Sequence, residues 1–308
     1  MSVTVWLAAL AVVLTAYIGL CVYLYFRLFV PRRSSRADRF GLSPWEFQAP
    51  YEEISLATAD GIGISAWYLH QPGSLQTVVV SGGHKGRKED MLGIGTGLWR
   101  KGFNVLMYNY RGSLNCDRAR ITMGILEVQE LRAALEFARY RVPGARIGLL
   151  GWSMGAVVSL LGAASDPSVE CLVLDSPFAD LRKLLVETIH RRGRLPARPI
   201  VGVVGLAFRA RSGHSIDEAR ALAALTCLEP RPLFFIHGAS DTVIAPQHSR
   251  LLYECYRGPR EIWLVPAAGH TEAYYNDRAL YVERVAGFFA RHLGLHRSSP
   301  VRLVEEVG

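Results

Sequence analysis

The sequence predicts an α/β protein: a mainly parallel, eight-stranded sheet with helices on both faces, held behind a single membrane-spanning helix. Three observations predict it. From residue 51 onward, short apolar runs alternate with helical stretches, the pattern of strand–helix–strand units whose strands are buried on both faces. One glycine-rich turn, Gly151-Trp152-Ser153-Met154-Gly155, stands between such a run and a helix. Finally, Ser2 to Phe26 carries no charged side chain.

That first segment is 25 residues long. As a helix it reaches about 37 Å, beyond the roughly 30 Å hydrocarbon core, so it can span a bilayer with tilt. No second stretch in the chain is apolar enough to bury it. The rival reading is a cleavable signal peptide, but the run is long and no basic region precedes it. No small-x-small cleavage site stands before the arginine cluster either. Arg27, Arg32, Arg33, Arg36 and Arg39 lie only on its C-terminal side. The positive-inside rule then puts the N-terminus outside and the body in the cytoplasm. The expected divisions are an anchor over 1–30, a basic linker over 31–50, a folded domain over 51–293 and a tail over 294–308.

Within the domain, residues 51–58 and 62–70 flank Ala59-Asp60-Gly61, a hairpin signal. The run 77–81 is a buried strand, followed by a helix over 89–101 and a strand over 103–110. Val128, Leu131, Leu135 and Ala138 mark a helix that stops at Pro143. Next come a strand over 146–150 that runs into the glycine turn, a small-residue helix over 154–164, and a strand over 169–175. After a long irregular region, strands over 232–238 and 261–269 each precede a helix, the last through Tyr281, Val285, Phe288 and Phe289.

The chain has 308 residues, 50% of them apolar and 20% charged. That suffices for one substantial domain and excludes a disordered or disulfide-stapled protein. Five cysteines (Cys21, Cys116, Cys171, Cys227, Cys255) are scattered, with no CxxC or paired-histidine spacing. Neither a metal site, a disulfide framework nor a cofactor is therefore expected, and free thiols fit a reducing compartment. The net charge of +8 is concentrated: residues 1–39 contribute +4 and residues 182–211 contribute +7, leaving the rest near −3. Two basic zones on a mildly acidic body point away from nucleic acid and toward an anionic membrane surface.

The pentapeptide 151–155 fits G-x-S-x-G, with a strand before it and a helix after. Such a turn is tight enough that flanking side chains would clash, hence the two glycines, and it lifts the Ser153 hydroxyl clear of the sheet. An alcohol is a poor nucleophile without a base and an acid that orients the base. Asp241 follows the strand 232–238 and His270 follows the strand 261–269, in the chain order Ser, Asp, His. Both stand at strand C-terminal ends, where ligands gather in open α/β sheets.

With GWSMG stand NYRG (109–112), LDSPFADL (174–181), HGASDTVI (237–244) and AGHTEAYYND (268–277). On these motifs the chain resembles the α/β-hydrolase family over residues 51 to 293. It is most similar to membrane-anchored α/β-hydrolase-domain proteins and to the catalytic domain of the prolyl-oligopeptidase branch. The resemblance implies a catalytic Ser153, Asp241 and His270, with an oxyanion hole made by the backbone N–H groups of Met154 and His84. Relatives usually carry His-Gly where this chain has Gly82-Gly83. It also implies that residues 182–226 are a cap over the site. Within the cap, basic residues bracket the uncharged run 199–208, which is too short to span a bilayer. Packing on the core is the favoured reading, and a segment resting in the membrane interface is the alternative.

The expected activity is hydrolysis of an ester or thioester of a small acyl substrate, lipid among the candidates, through an acyl-enzyme on Ser153. A peptidase and a non-catalytic scaffold are the alternatives. The glycine-rich loop at 82–86 lacks the G-x-x-x-x-G-K-[ST] of a phosphate loop. Asp175 is an alternative acid, and His237 reads as a hydrogen-bonded core residue. His190 and His214 read as solvated, and His248, His292 and His296 as lacking an evident partner. Cys171 and Cys255 read as buried apolar residues.

Overall fold

The computed structural model describes residues 2–31, 41–113, 120–193 and 195–294. Arg32, Arg33, Arg36, Arg39, Cys116, Arg194 and His296 lie outside them, as do the tail from 295 and the side chain of Arg192. Eight strands form one sheet: β1 (Glu52–Ala57), β2 (Gly63–Leu69), β3 (Gln76–Ser81), β4 (Asn104–Tyr108), β5 (Arg146–Trp152), β6 (Val169–Asp175), β7 (Leu233–Gly238) and β8 (Arg260–Val265). Their order is β1-β2-β4-β3-β5-β6-β7-β8. The β1–β2 and β2–β4 pairs are antiparallel, and every pair from β4–β3 to β7–β8 is parallel. This is the mainly parallel sheet that the alternation predicts and the α/β-hydrolase fold that the resemblance implies.

Alternate side chains along each strand enter different cores, as the period of two requires. Val79, Leu149, Leu172 and Leu174 pack with α3 (Val128–Arg141) and α4 (Met154–Ala163), through residues such as Leu131, Leu135, Val157 and Leu160. Val78, Val80, Leu150 and Val173 pack on the other face with α2 (Leu92–Arg100) and α10 (Arg278–Leu293), through Ile94, Leu98, Val285 and Phe289. The helix expected over 89–101 begins as a 3-10 turn, Lys88–Met91, before α2 takes over.

The region between β6 and β7 is more regular than its sequence implies. It forms α5 (Leu181–Gly193), α6 (Ala197–Ser212) and α7 (Ala221–Cys227). α6 holds the uncharged run: Ile200, Val201, Val204 and Phe208 share one buried face, the i, i+4, i+8 stripe of an amphipathic helix. Its other face leaves Val203 and Leu206 exposed. Beyond β7 come α8 (Gln247–Cys255) and α9 (Ala273–Asn276). Cys171 is buried, whereas Cys255 is exposed at the end of α8, which corrects the expectation for it.

The N-terminal helix α1 runs from Val3 to Phe29, 27 residues, long enough and apolar enough to cross a membrane. Most of it is exposed, but its C-terminal end docks on the cap. Cys21 and Phe29 are buried, and the Phe29 ring lies 4.5 Å from that of Phe208 in α6.

Candidate active site

Ser153 joins β5 to α4 with φ 53° and ψ −115°, a conformation that an L-residue holds only when its surroundings enforce it. Those surroundings are glycines. A Cβ on Gly151 would meet the Gly155 carbonyl oxygen at 2.4 Å, and a Cβ on Gly155 would meet the Ser81 carbonyl oxygen at 2.2 Å. The turn therefore closes only with glycine on both sides of the serine, and the strain aims the hydroxyl outward.

The loops after β7 and β8 are locked to each other by backbone. Ala239 donates its N–H to Val265 at 2.8 Å, and Ser240 donates to Ala268 at 2.9 Å. Gly238 lies so close that a Cβ there would sit 2.2 Å from the Gly269 carbonyl oxygen. These loops carry Asp241 and His270 to Ser153. With the tautomer assigned from the network, Ser153 Oγ donates to His270 Nε2 at 3.0 Å, and His270 Nδ1 donates to Asp241 Oδ2 at 2.7 Å. Three side chains far apart in sequence thus form one hydrogen-bonded line.

Asp241 has no exposed side chain and is well supplied with donors. Its Oδ1 accepts the N–H groups of Val243 at 2.7 Å and Ile244 at 2.9 Å. Its Oδ2 also lies 3.2 Å from His237 Nε2. Burial alone would push its pKa up, but the bonds from His237 and His270 and from the Ile244 backbone outweigh it, holding the carboxyl well below the usual range. His237 is the core residue expected, bonded to Ser249 Oγ at 2.7 Å and the Ile244 carbonyl at 2.9 Å. Its contact with Asp241 gives it a role that the sequence reading did not assign. A histidine four positions before the acid, at the end of the same strand, was the available signal.

Asp175 stays apart from this line. Its carboxyl is fully buried and accepts from Tyr281 Oη and Ser176 Oγ, each at 2.8 Å. Burial pushes its pKa up. His248 does have partners: Nδ1 accepts the Ala179 N–H at 3.1 Å, and Nε2 donates to Glu187 of α5 at 3.0 Å. It pins the cap to the domain, through a residue too distant in sequence to be foreseen. His214 contacts Glu218 at 2.8 Å, His292 meets the Phe288 ring edge-on, and His190 is exposed.

Met154 opens α4, where helix N–H groups lack intrahelical partners. The loop after β3 lies alongside the nucleophile: a Cβ on Gly83 would be 3.8 Å from Ser153 Cβ. Its next two side chains reach the end of α1. His84 Nε2 donates to the Leu28 carbonyl and Lys85 Nζ to the Arg27 carbonyl, each at 2.7 Å. These carbonyls belong to the last turn of α1, which has no helical donors left.

A cleft of about 710 Å³ opens above Ser153 and His270. Trp152, Phe178, Leu184 and Leu185 make much of its wall apolar, and Arg27 and Leu28 bring the end of α1 to its rim. Among the described residues, no group of three His, Cys, Asp or Glu side chains is placed to hold a metal ion.

Residues 96–296 match the profile of the prolyl oligopeptidase family. The chain belongs to that family. Two curated relatives are themselves uncharacterized. YqkD of Bacillus subtilis is 28% identical over 190 residues, which span 61% of this chain and 62% of that protein. A Saccharomyces cerevisiae protein, YNL320W, described as a membrane protein, is 23% identical over 278 residues, 88% of this chain and 92% of its own. Among solved structures, the Pyrococcus furiosus esterase Pf2001 superposes with a TM-score of 0.70 at 24% identity, over 86% of this chain and 98% of its own. The Pyrococcus horikoshii acylaminoacyl peptidase does so at 0.60 and 16% identity, over 81% of this chain and 43% of its own. These likenesses establish the fold. Membership of the prolyl oligopeptidase family makes this protein a serine hydrolase, with both esterases and peptidases among its structural neighbours.

Proposed function

We propose that the protein is a membrane-anchored serine hydrolase that cleaves a carboxylic ester or thioester through an acyl-enzyme on Ser153. The observation that carries this reading is the line from Ser153 Oγ through His270 to Asp241, with bonds of 3.0 and 2.7 Å. His270 Nε2 takes the hydroxyl proton as Oγ attacks the acyl carbon. The Met154 and His84 backbone N–H groups receive the charge that develops on the carbonyl oxygen. His270 then gives its proton to the leaving alcohol or thiol. Water repeats the sequence on the acyl-enzyme, with Asp241 holding the imidazole tautomer throughout.

The cleft favours an acyl substrate over a peptide amino terminus. Among the described residues its charged rim is mostly cationic, with Arg27 and Lys85 against one carboxylate, Asp90, whose Oδ2 accepts the Arg87 N–H at 2.8 Å. A terminal ammonium meets a net positive rim among those residues. Fluorophosphonate labelling, followed by a screen of p-nitrophenyl esters, acyl thioesters and aminoacyl amides, is the test. Wild-type protein is expected to label and Ser153→Ala to stay dark, with esters or thioesters turned over at least a hundredfold faster than amides. A folded but unlabelled wild type supports a scaffold instead, and faster amide turnover supports a peptidase.

α1 serves as the anchor, with its N-terminus outside and the domain in the cytoplasm, as the flanking arginines direct. The cap joins it at the interface. Val203 and Leu206 are exposed on α6 among the exposed Arg198, Arg209 and Arg211. Each arginine near an anionic leaflet contributes about 1 kcal/mol of attraction. Full-length protein in phosphatidylserine vesicles is therefore expected to work severalfold faster than in phosphatidylcholine alone, and the triple arginine-to-glutamine variant to lose the difference. Equal stimulation of the variant would remove the cap from the membrane.

A further inference from the structure

The cleft above Ser153 does not end at the cap. Past Arg27, Leu28, Leu185 and Thr188, which line both spaces, lies a second hollow of about 60 Å³. Its remaining walls are aliphatic: Leu24 of α1, Ile189 of α5, and Val201 and Val204 of α6. Along the rest of α1, Leu10, Leu14, Ile18, Val22 and Phe26 are exposed. The hollow therefore lies between the lid and a helix whose outer face suits hydrocarbon.

This junction is held in place. Phe29 is buried against Phe208 of α6. His84 and Lys85, from the loop beside the nucleophile, take up the last carbonyls of α1. The position of α1 beside Ser153 is thus set at its C-terminal end by hydrogen bonds and by aromatic packing. Arg27 stands where the two spaces meet, its guanidinium donating to Tyr23 Oη at 3.1 Å. That places a cation at the level where a lipid passes from chain to head group.

We infer that the hollow is the distal part of an acyl subsite that begins in the cleft, and that its occupant is a few methylenes of the fatty acyl chain of a membrane lipid ester. The chain runs from the scissile carbonyl at Ser153 past Leu185 and Leu28, then between α1 and α6. The anchor is on this assignment also a wall of the binding site, and an amphiphile reaches Ser153 without leaving the membrane interface. The inference rests on the ester-hydrolase reading. It predicts a strong preference for long chains, since each methylene moved from water into an apolar site is worth about fourfold in affinity.

Two measurements on the full-length protein in lipid nanodiscs test it. The first is the ratio of kcat/KM for p-nitrophenyl myristate to that for the butyrate. Val204→Trp, which fills the hollow from α6, is expected to lower this ratio at least tenfold, and an unchanged ratio overturns the subsite. The second needs no variant: a fluorophosphonate with a fourteen-carbon tail and a terminal diazirine is reacted and irradiated. The crosslink is expected within residues 20–29 or 197–208. Label on Ser153 with crosslinks only elsewhere overturns the subsite and leaves the hydrolase standing. Absence of label on Ser153 overturns both.

Discussion

Replacing His270 by alanine is expected to lower p-nitrophenyl ester turnover by about 10⁴- to 10⁶-fold, the range that serine hydrolases lose with their base. The magnitude follows from what is left. Ser153 Oγ keeps its strained placement and its glycine-framed turn, but the imidazole 3.0 Å away is gone. His237 cannot replace it. It is fully buried, and its Nε2 is directed at the Ile244 carbonyl and at Asp241. The substitution leaves in place the Met154 and His84 backbone N–H groups proposed as oxyanion donors, so a residual rate above water is expected. His270 is partly exposed on a loop, so the thermal transition of the variant should stay close to that of the wild type. Retained turnover would mean that another base serves Ser153.

The parts of the structure that were legible in the sequence are those where one residue type has no substitute. Only glycine fits at 151 and 155, where a Cβ would strike backbone oxygen, so the turn announces itself in five letters. Asp241 and His270 were legible because each follows an apolar run short enough to be read as a buried strand. The cap was not. Its helices are stabilised by partners distant in sequence, such as His248 with Glu187 and Phe208 with Phe29, and no local pattern encodes such pairs. The docking of α1 was illegible for a different reason. Tyr17, Cys21, Leu24 and Phe29 face protein while Val13, Ile18, Val22 and Phe26 face outward. Both sides are apolar, so no hydrophobic periodicity separates them.

That illegibility matters for the chemistry. The resemblance implies a role for His84 through its backbone N–H alone, whereas its imidazole holds the Leu28 carbonyl. One residue thereby belongs to the loop beside Ser153 and to the seat of α1. Lys85 repeats the arrangement at Arg27. Any displacement of α1 pulls on the segment that lies 3.8 Å from Ser153 Cβ at Gly83. The end of α1 and the loop after β3 are thus joined by two hydrogen bonds.

Asp241→Asn is expected to cost about 10⁴ in kcat while leaving the three side chains in place. An amide has one acceptor and one donor end. If the acceptor stays with the N–H groups of Val243 and Ile244, the amide NH₂ faces both His270 Nδ1 and His237 Nε2. His270 can then only accept at Nδ1, which puts its proton on Nε2, against the Ser153 hydroxyl. The base is present but in the wrong tautomer. His237→Phe separates this effect from simple loosening of the carboxylate. It removes one donor to Asp241 and keeps the 2.7 Å bond to His270, so a loss of about tenfold or less is expected. Acid stability gives an independent reading. Because the folded-state pKa of Asp241 is depressed, its ionised form adds stability above its unfolded value, about 3.9, and that stability is lost as pH falls toward the folded value. Denaturant melts of the Asn variant between about pH 5 and 2 should therefore fall less steeply than those of the wild type. An identical slope would mean that the carboxylate is not held ionised by the bonds that surround it.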